Sequence, residues 1–139
     1  MFNYLDQREV FHIIFLKHFA RQIKPNIYAL KGGCNLRFFF DSIRYSEDMD
    51  LDIKGIEIHK LQDVVLNIIT GVSFANSLRT YQIERIIPPD MKVAKQTETG
   101  QRFKIHLINS AQEDLFTKIE FSRRGIESGI LMESIDTNV

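Results

Sequence analysis

Apolar and polar positions divide the first half of the chain into alternating helical and extended segments. Residues 5–22 carry a wide apolar helical face, and a Lys-Pro-Asn sequence ends that predicted helix. Residues 27–30 form a short extended run, and residues 34–41 are predicted to form a short helix. Residues 48–54 alternate strictly between acidic and apolar side chains, which predicts a half-buried strand.

The second half of the chain predicts a long helix and three strands. Helical spacing over residues 57–78 indicates one helix with Gly71 in its middle. Residues 91–97 and 102–108 flank a four-residue loop and predict a hairpin, and residues 115–122 predict the last strand. This order favours an α/β (α+β) fold, a mixed sheet flanked by helices, in a single domain over residues 1–139.

Composition indicates the class of protein but says little about its function. The 139 residues are 44% hydrophobic and 26% charged, as in ordinary globular domains. Eighteen basic residues balance 18 acidic ones, so overall charge gives no argument for nucleic-acid binding, although a local basic groove is compatible with it. One cysteine excludes an intramolecular disulfide. Because signal-peptide features and a run of ~20 apolar residues are both missing, we expect a cytoplasmic protein without a membrane segment.

Two aspartates on the predicted acidic strand are the first candidates for chemistry. Asp48 and Asp50 lie two residues apart, so their side chains share one face with Cα atoms roughly 6.6 Å apart. Carboxylates that close repel each other unless a cation lies between them. Mg²⁺ suits such a pair because it takes one or two carboxylates together with substrate phosphates. The alternative is an acidic strand face that is simply solvated.

Other residue types near this pair strengthen the case for a phosphate-handling site. Gly32 and Gly33 follow an apolar run and precede a predicted helix, where backbone N–H groups approach anions closely. Arg44 and Ser46 place a cation and a hydroxyl just ahead of the carboxylates. Glu120 stands in an otherwise apolar predicted strand, which favours a functional explanation. A solvent-facing glutamate on an edge strand is the alternative.

At these residues the sequence resembles a known family. The runs LKGGCNLR at 30–37 and RYSEDMDLD at 44–52 are similar to the signature of AbiEii/AbiGii-type toxin nucleotidyltransferases, which share a DNA polymerase β-like core. The resemblance extends to the first helix and to the strand with Glu120, and thins between residues 78 and 115. It implies that Asp48 and Asp50 hold two Mg²⁺ ions, or Mn²⁺, and that Glu120 is the third metal-binding carboxylate and helps to activate the acceptor hydroxyl.

The resemblance also implies a reaction and a nucleotide site. An NMP would pass from a nucleoside triphosphate to a hydroxyl of an RNA, such as the 3′ end of a tRNA, or of a protein. The toxin would belong to an abortive-infection or toxin–antitoxin system. The nucleotide would contact residues of the Gly-Gly and Arg-x-Ser segments: Lys31, Gly32, Gly33, Cys34, Arg44 and Ser46. Asp52, further along the strand, is expected to be a neighbouring or surface acid.

Two departures from the family pattern leave alternatives open. Cys34 stands where serine or threonine is usual, and a thiol is the weaker hydrogen-bond donor. We expect this chain to lack the family's helical C-terminal domain, as a truncated gene, an expressed fragment or a split protein with a separate helical chain as partner would. The resemblance to toxins also implies an antitoxin as a partner. One alternative is a truncated, catalytically impaired protein that binds nucleotide or a partner without turnover. Another is a structural α/β domain with a surface acid cluster, in which removing Asp48 and Asp50 would stabilise the fold.

Overall fold

The chain folds into helices and strands in the mixed order that the sequence predicts. The computed structural model describes residues 4–30, 48–92 and 94–123. The helices are α1 (Tyr4–Gln22), α2 (Ile58–Ile69) and α3 (Val72–Arg79), and a 3₁₀ turn at Pro25–Ile27 follows α1. The strands are β1 (Tyr28–Leu30), β2 (Asp48–Ile53), β3 (Ile83–Ile87), β4 (Gly100–Asn109) and β5 (Asp114–Ser122). The predicted α/β fold class is confirmed. Throughout the described ranges, every helix is too short or too polar to cross a membrane.

The described strands form one mixed sheet in the order β1-β2-β5-β4-β3. β2 and β5 are parallel neighbours, whereas the other pairs are antiparallel. Parallel pairing requires a long crossover, which here contains α2, α3, β3 and β4. The two acid-bearing strands, distant in sequence, are therefore adjacent in the interior of the sheet.

Phenylalanines of α1 attach the helices to one face of this sheet. Phe11, Phe15 and Phe19 recur at i, i+4 spacing, and all are fully buried. Phe11 meets Phe74 of α3 edge-on with ring centroids 5.7 Å apart, and Phe19 contacts Phe121 of β5 at 5.5 Å. Alternate residues of β2, β4 and β5 enter the same core, so their remaining side chains are left on the opposite, polar face.

The predicted long helix over 57–78 is wrong in one respect, because the segment contains two helices. The Thr70 N–H and hydroxyl both donate to the Leu66 carbonyl oxygen, which completes the end of α2. Gly71 then adopts an extended conformation and caps the start of α3. A Cβ atom at Gly71 would lie 3.1 Å from the Asn67 carbonyl oxygen. The glycine thus permits a close turn between two helices that share one apolar periodicity.

The predicted hairpin is wrong in its first strand. β4 pairs with β3 at residues 83–87, whereas residues 91–97 contribute an isolated bridge between Gln96 and Gln101. A turn at residues 109–113 joins β4 to β5, since the Asn109 side-chain oxygen accepts the N–H groups of Ala111 and Glu113. The predicted helix at 34–41 lies outside the described residues.

Candidate functional site

Asp50 and Glu120 occupy matched positions on adjacent parallel strands. The register of β2 and β5 places Asp50 directly opposite Glu120, and Asp48 directly opposite Lys118. Their side chains share the face away from the core, because the alternate residues Met49 and Ile119 are buried. Glu120 lies on a central strand, which excludes the edge-strand explanation of this acid. The structure therefore brings Asp48, Asp50 and Glu120 together on one surface.

Lys118 places a positive charge among these carboxylates. Its Nζ lies 3.1 Å from Glu120 Oε1 and 3.7 Å from Asp48 Oδ2. The hydrogen bond to Glu120, together with the charge of Asp48, raises the pKa of Lys118 above its ordinary value. The ammonium offsets the repulsion that neighbouring carboxylates would otherwise exert on each other.

Arg102 of β4 approaches Glu120 from the other side. Its Nη2 lies 3.4 Å from Glu120 Oε2, and the two residues are directly opposite each other on β4 and β5. Burial alone would raise the pKa of Glu120. The hydrogen bond from Lys118 and the charge of Arg102 outweigh that effect and leave the Glu120 pKa below its usual value. Glu120 is therefore ionised at neutral pH and able to bind a cation or accept a proton.

These carboxylates match a hard divalent metal in donor type and placement. Asp48, Asp50 and Glu120 supply only oxygen atoms, as Mg²⁺ prefers, and the Lys118 ammonium shows that a cation is accommodated between Asp48 and Glu120. Within residues 4–30, 48–92 and 94–123, however, no three His, Cys, Asp or Glu side chains lie close enough together to hold one metal ion. Metal binding would thus require Lys118 to give up its contacts with the carboxylates.

The remaining predicted site residues cannot be placed relative to the carboxylates. Lys31, Gly32, Gly33, Cys34, Arg44 and Ser46 all lie outside the described residues. Asp52, the predicted neighbouring acid, is half-buried on β2. It lies opposite Ser122, two residues along the strands from the Asp50–Glu120 pair.

Two charged neighbours of Glu120 were missed by the sequence interpretation. Lys118 is two residues before Glu120 on a predicted strand, so its position on the same face was readable from the strand period. Arg102 gave no comparable signal, because its approach to Glu120 depends on how β4 and β5 align across the sheet. The alignment follows from the turn at Asn109, which fixes the register of both strands.

Comparison with known proteins gives a family match that covers most of the chain. A sequence model of the family described as "Nucleotidyl transferase AbiEii toxin, Type IV TA system" matches residues 14–135, which is most of the chain. The match includes β2, β5 and hence the carboxylate-bearing face. None of the curated proteins compared with the chain matches it.

Proposed function

The chain belongs to the AbiEii nucleotidyltransferase toxin family of type IV toxin–antitoxin systems, and from this premise we propose that it transfers an NMP from a nucleoside triphosphate to a hydroxyl group. The acceptor is an RNA, such as a tRNA end, or a protein. The observation that carries the proposal is the alignment of Asp50 with Glu120, with Asp48 on the same face. An antitoxin is the partner that membership of this family suggests.

Asp48, Asp50 and Glu120 have distinct tasks in this proposal. All three would hold Mg²⁺, which would stabilise the charge on the attacking and leaving oxygens. Glu120, whose pKa is lowered mainly by Lys118 and Arg102 against the effect of burial, accepts a hydrogen bond from the acceptor hydroxyl and orients it. The acceptor oxygen forms a bond to the α-phosphorus, the bond to the β-phosphate bridging oxygen breaks, and pyrophosphate leaves. The hydroxyl proton passes to Glu120 or to water.

Residues around the carboxylates complete the proposed nucleotide site. Lys31, Gly32, Gly33 and Cys34 are proposed to contact the β- and γ-phosphates, with Arg44 and Ser46 beside them, as the family resemblance implies. Lys118 lies among the carboxylates. A shift of its ammonium toward bound phosphate would let it stabilise the negative charge that develops during transfer. Positive charge on Lys118 and Arg102 also favours the approach of a polyphosphate.

A second candidate function is binding of nucleotide or a partner without turnover. The contact of Lys118 with both Asp48 and Glu120 favours it, because the ammonium occupies the place that a metal would need. In this case Mg²⁺ and nucleoside triphosphate bind weakly or separately, and no label reaches an acceptor.

Transfer of label from each α-labelled nucleoside triphosphate to bulk tRNA and to the protein itself tests the proposal. We expect Mg²⁺-dependent transfer that Asp50→Asn and Glu120→Gln reduce by at least 100-fold, since each change removes a charged ligand from the reacting centre. Asp52→Asn is the matched control, one strand step beyond the pair, and should retain most of the activity. Transfer by the wild type that Asp50→Asn leaves unchanged would exclude this site. No transfer at all would favour binding without turnover.

A further inference from the structure

A groove continues from the carboxylates along the polar face of the sheet. It has a volume of about 640 Å³ and lies between β4, β5 and residues 88–90 and 94–95. Asp48 and Lys118 line one end of it, and His106 and Phe116 the other. The proposed transfer site therefore opens directly into this groove, and the end of the groove at His106 and Phe116 has no role in the proposed transfer.

Phe116 forms an exposed aromatic surface in this groove. Its side chain is 59% exposed, although it lies in a strand whose alternate residues are fully buried. The His106 ring stacks against it with centroids 4.5 Å apart and an interplanar angle of 25°. Asp114 Oδ1 lies 2.7 Å from His106 Nε2 and fixes the orientation of that ring. A flat, supported ring is thus presented to solvent.

The groove is also locally basic in a chain whose net charge is zero. Lys104 of β4 lies directly opposite Lys118 of β5, and Arg102 lines the same groove. The Lys95 ammonium lies beside Gly100, at the end of the groove away from Phe116. Like charges directly opposite each other on neighbouring strands destabilise a sheet. Glu120 and Asp48 compensate Lys118, whereas Lys104 is exposed beside it, so an anion bound at Lys104 would relieve the remaining repulsion.

We infer that this groove binds a single strand of nucleic acid, with one base stacked on Phe116 and a phosphate at Lys104. The inference rests on the proposed function, for which it selects RNA over protein as the acceptor. A ring beside a row of cations matches the base and phosphate of an unpaired nucleotide. Ile87 is a second exposed apolar side chain in the groove, but cations lie beside both, whereas a protein partner would favour a continuous apolar patch. Phe116 precedes Glu120 by four residues, or roughly 13 Å, so the carboxylates are within reach of the end of a strand stacked there.

Direct binding of a labelled oligonucleotide tests this inference without turnover. A 12-nucleotide single-stranded RNA is titrated with the whole protein in EDTA at low salt, and fluorescence anisotropy is measured. We expect binding that weakens with added NaCl, and a loss of roughly 5- to 150-fold in Phe116→Ala, the range for removing one base-stacking ring. Lys104→Gln should weaken binding and make its salt dependence shallower.

Matched variants separate the groove from general effects of mutation. Phe116→Tyr keeps the flat ring and should bind normally, and Lys60→Gln removes an exposed charge on α2, outside the groove. Absence of RNA binding by the wild type, or equal binding by Phe116→Ala, overturns the inference. So does a result in which Phe116→Ala weakens binding of a free nucleoside triphosphate but not of the oligonucleotide. RNA binding without label transfer would instead support the groove while the proposed function fails.

Discussion

Lys118 determines how the carboxylates behave before any ligand arrives. Asp48, Asp50 and Asp52 of β2 share one face with Glu120 of β5, and such a cluster disfavours folding unless positive charge is close. The ammonium of Lys118 supplies that charge at 3.1 Å from Glu120 and 3.7 Å from Asp48. The same contact competes with a divalent cation, since both require the oxygen atoms of Asp48 and Glu120.

Replacing Lys118 with methionine should therefore have opposite effects in the absence and presence of Mg²⁺. In EDTA we expect the free energy of unfolding to fall by roughly 0.5–1 kcal/mol, because a partly exposed ion pair is lost and carboxylate repulsion remains. With millimolar Mg²⁺ the variant should gain more stability than the wild type, since nothing competes for the carboxylates. Urea denaturation with and without Mg²⁺ measures both effects.

Lys104→Met is the control for this variant, because Lys104 lies directly opposite Lys118 but has no role among the carboxylates in our proposal. Its gain in stability from Mg²⁺ should equal that of the wild type. A gain in Lys118→Met no larger than that of the wild type would show that the ammonium and the metal do not compete.

At the scale of single elements, the strict alternation of polar and apolar residues gave the most accurate strand predictions. β2 and β5 are each half-buried, so side-chain period alone revealed both their extent and the faces carrying Asp48, Asp50 and Glu120. Their adjacency was not readable, because parallel pairing between strands so distant in sequence depends on the whole crossover. The family resemblance, not the period, connected Glu120 with the two aspartates.

The missed strand shows the limit of periodicity. β3 reads Ile-Glu-Arg-Ile-Ile, with one buried residue at its start and exposed positions after it, so it lacks a clear period of two. It begins after Gln82, whose φ of 67° makes the turn without the glycine that usually signals one. Residues 91–97 showed better alternation, but β3 occupies the edge of β4 over residues 106–109. The segment can therefore pair only with the start of β4, where Gln96 bridges to Gln101.

Gly55 controls the turn from the acidic strand into α2. Its φ is +72°, a left-handed conformation, and a Cβ atom there would have nothing within 4 Å. Substitution thus tests backbone strain without a steric clash. We expect Gly55→Ala to lower the free energy of unfolding by about 1–2 kcal/mol, measured by urea denaturation.

Gly55→Asn is the matched comparison for that change, because asparagine tolerates the left-handed region better than alanine does. It should be clearly less destabilising than Gly55→Ala. Equal losses for both variants would mean that the conformation at Gly55 is not what the turn requires.

At the scale of the whole molecule, buried polar contacts join α1 to distant parts of the sheet. Gln7 donates to the carbonyl oxygens of Tyr81 and Gln82 and accepts a hydrogen bond from Asn109. These contacts hold α1 against the turn before β3 and the turn after β4. His12, fully buried, shares a 2.7 Å hydrogen bond with Thr117 of β5. Thr117 directly precedes Lys118, so the packing of α1 helps to hold the strand that carries the candidate site.

His12 makes the stability of this arrangement depend on pH. Burial, with a smaller contribution from Arg8, lowers the pKa of His12 from 6.5 to about 3. Between pH 6.5 and about pH 3, His12 binds more protons in the unfolded chain than in the folded one. The stabilisation is therefore complete above pH 6.5 and is lost by about 1.4 kcal/mol for each pH unit below it, until the folded pKa is reached.

The free energy of unfolding should accordingly fall by about 2 kcal/mol between pH 7 and pH 5, as urea denaturation at each pH would show. His12→Gln keeps a polar group that can reach Thr117 but does not titrate, so most of this difference between the two pH values should disappear whatever the variant's absolute stability. His59→Gln, at an exposed histidine of α2, should leave the difference intact. If His12→Gln retained the full difference, the histidine would not be the group whose burial couples α1 and β5 to pH.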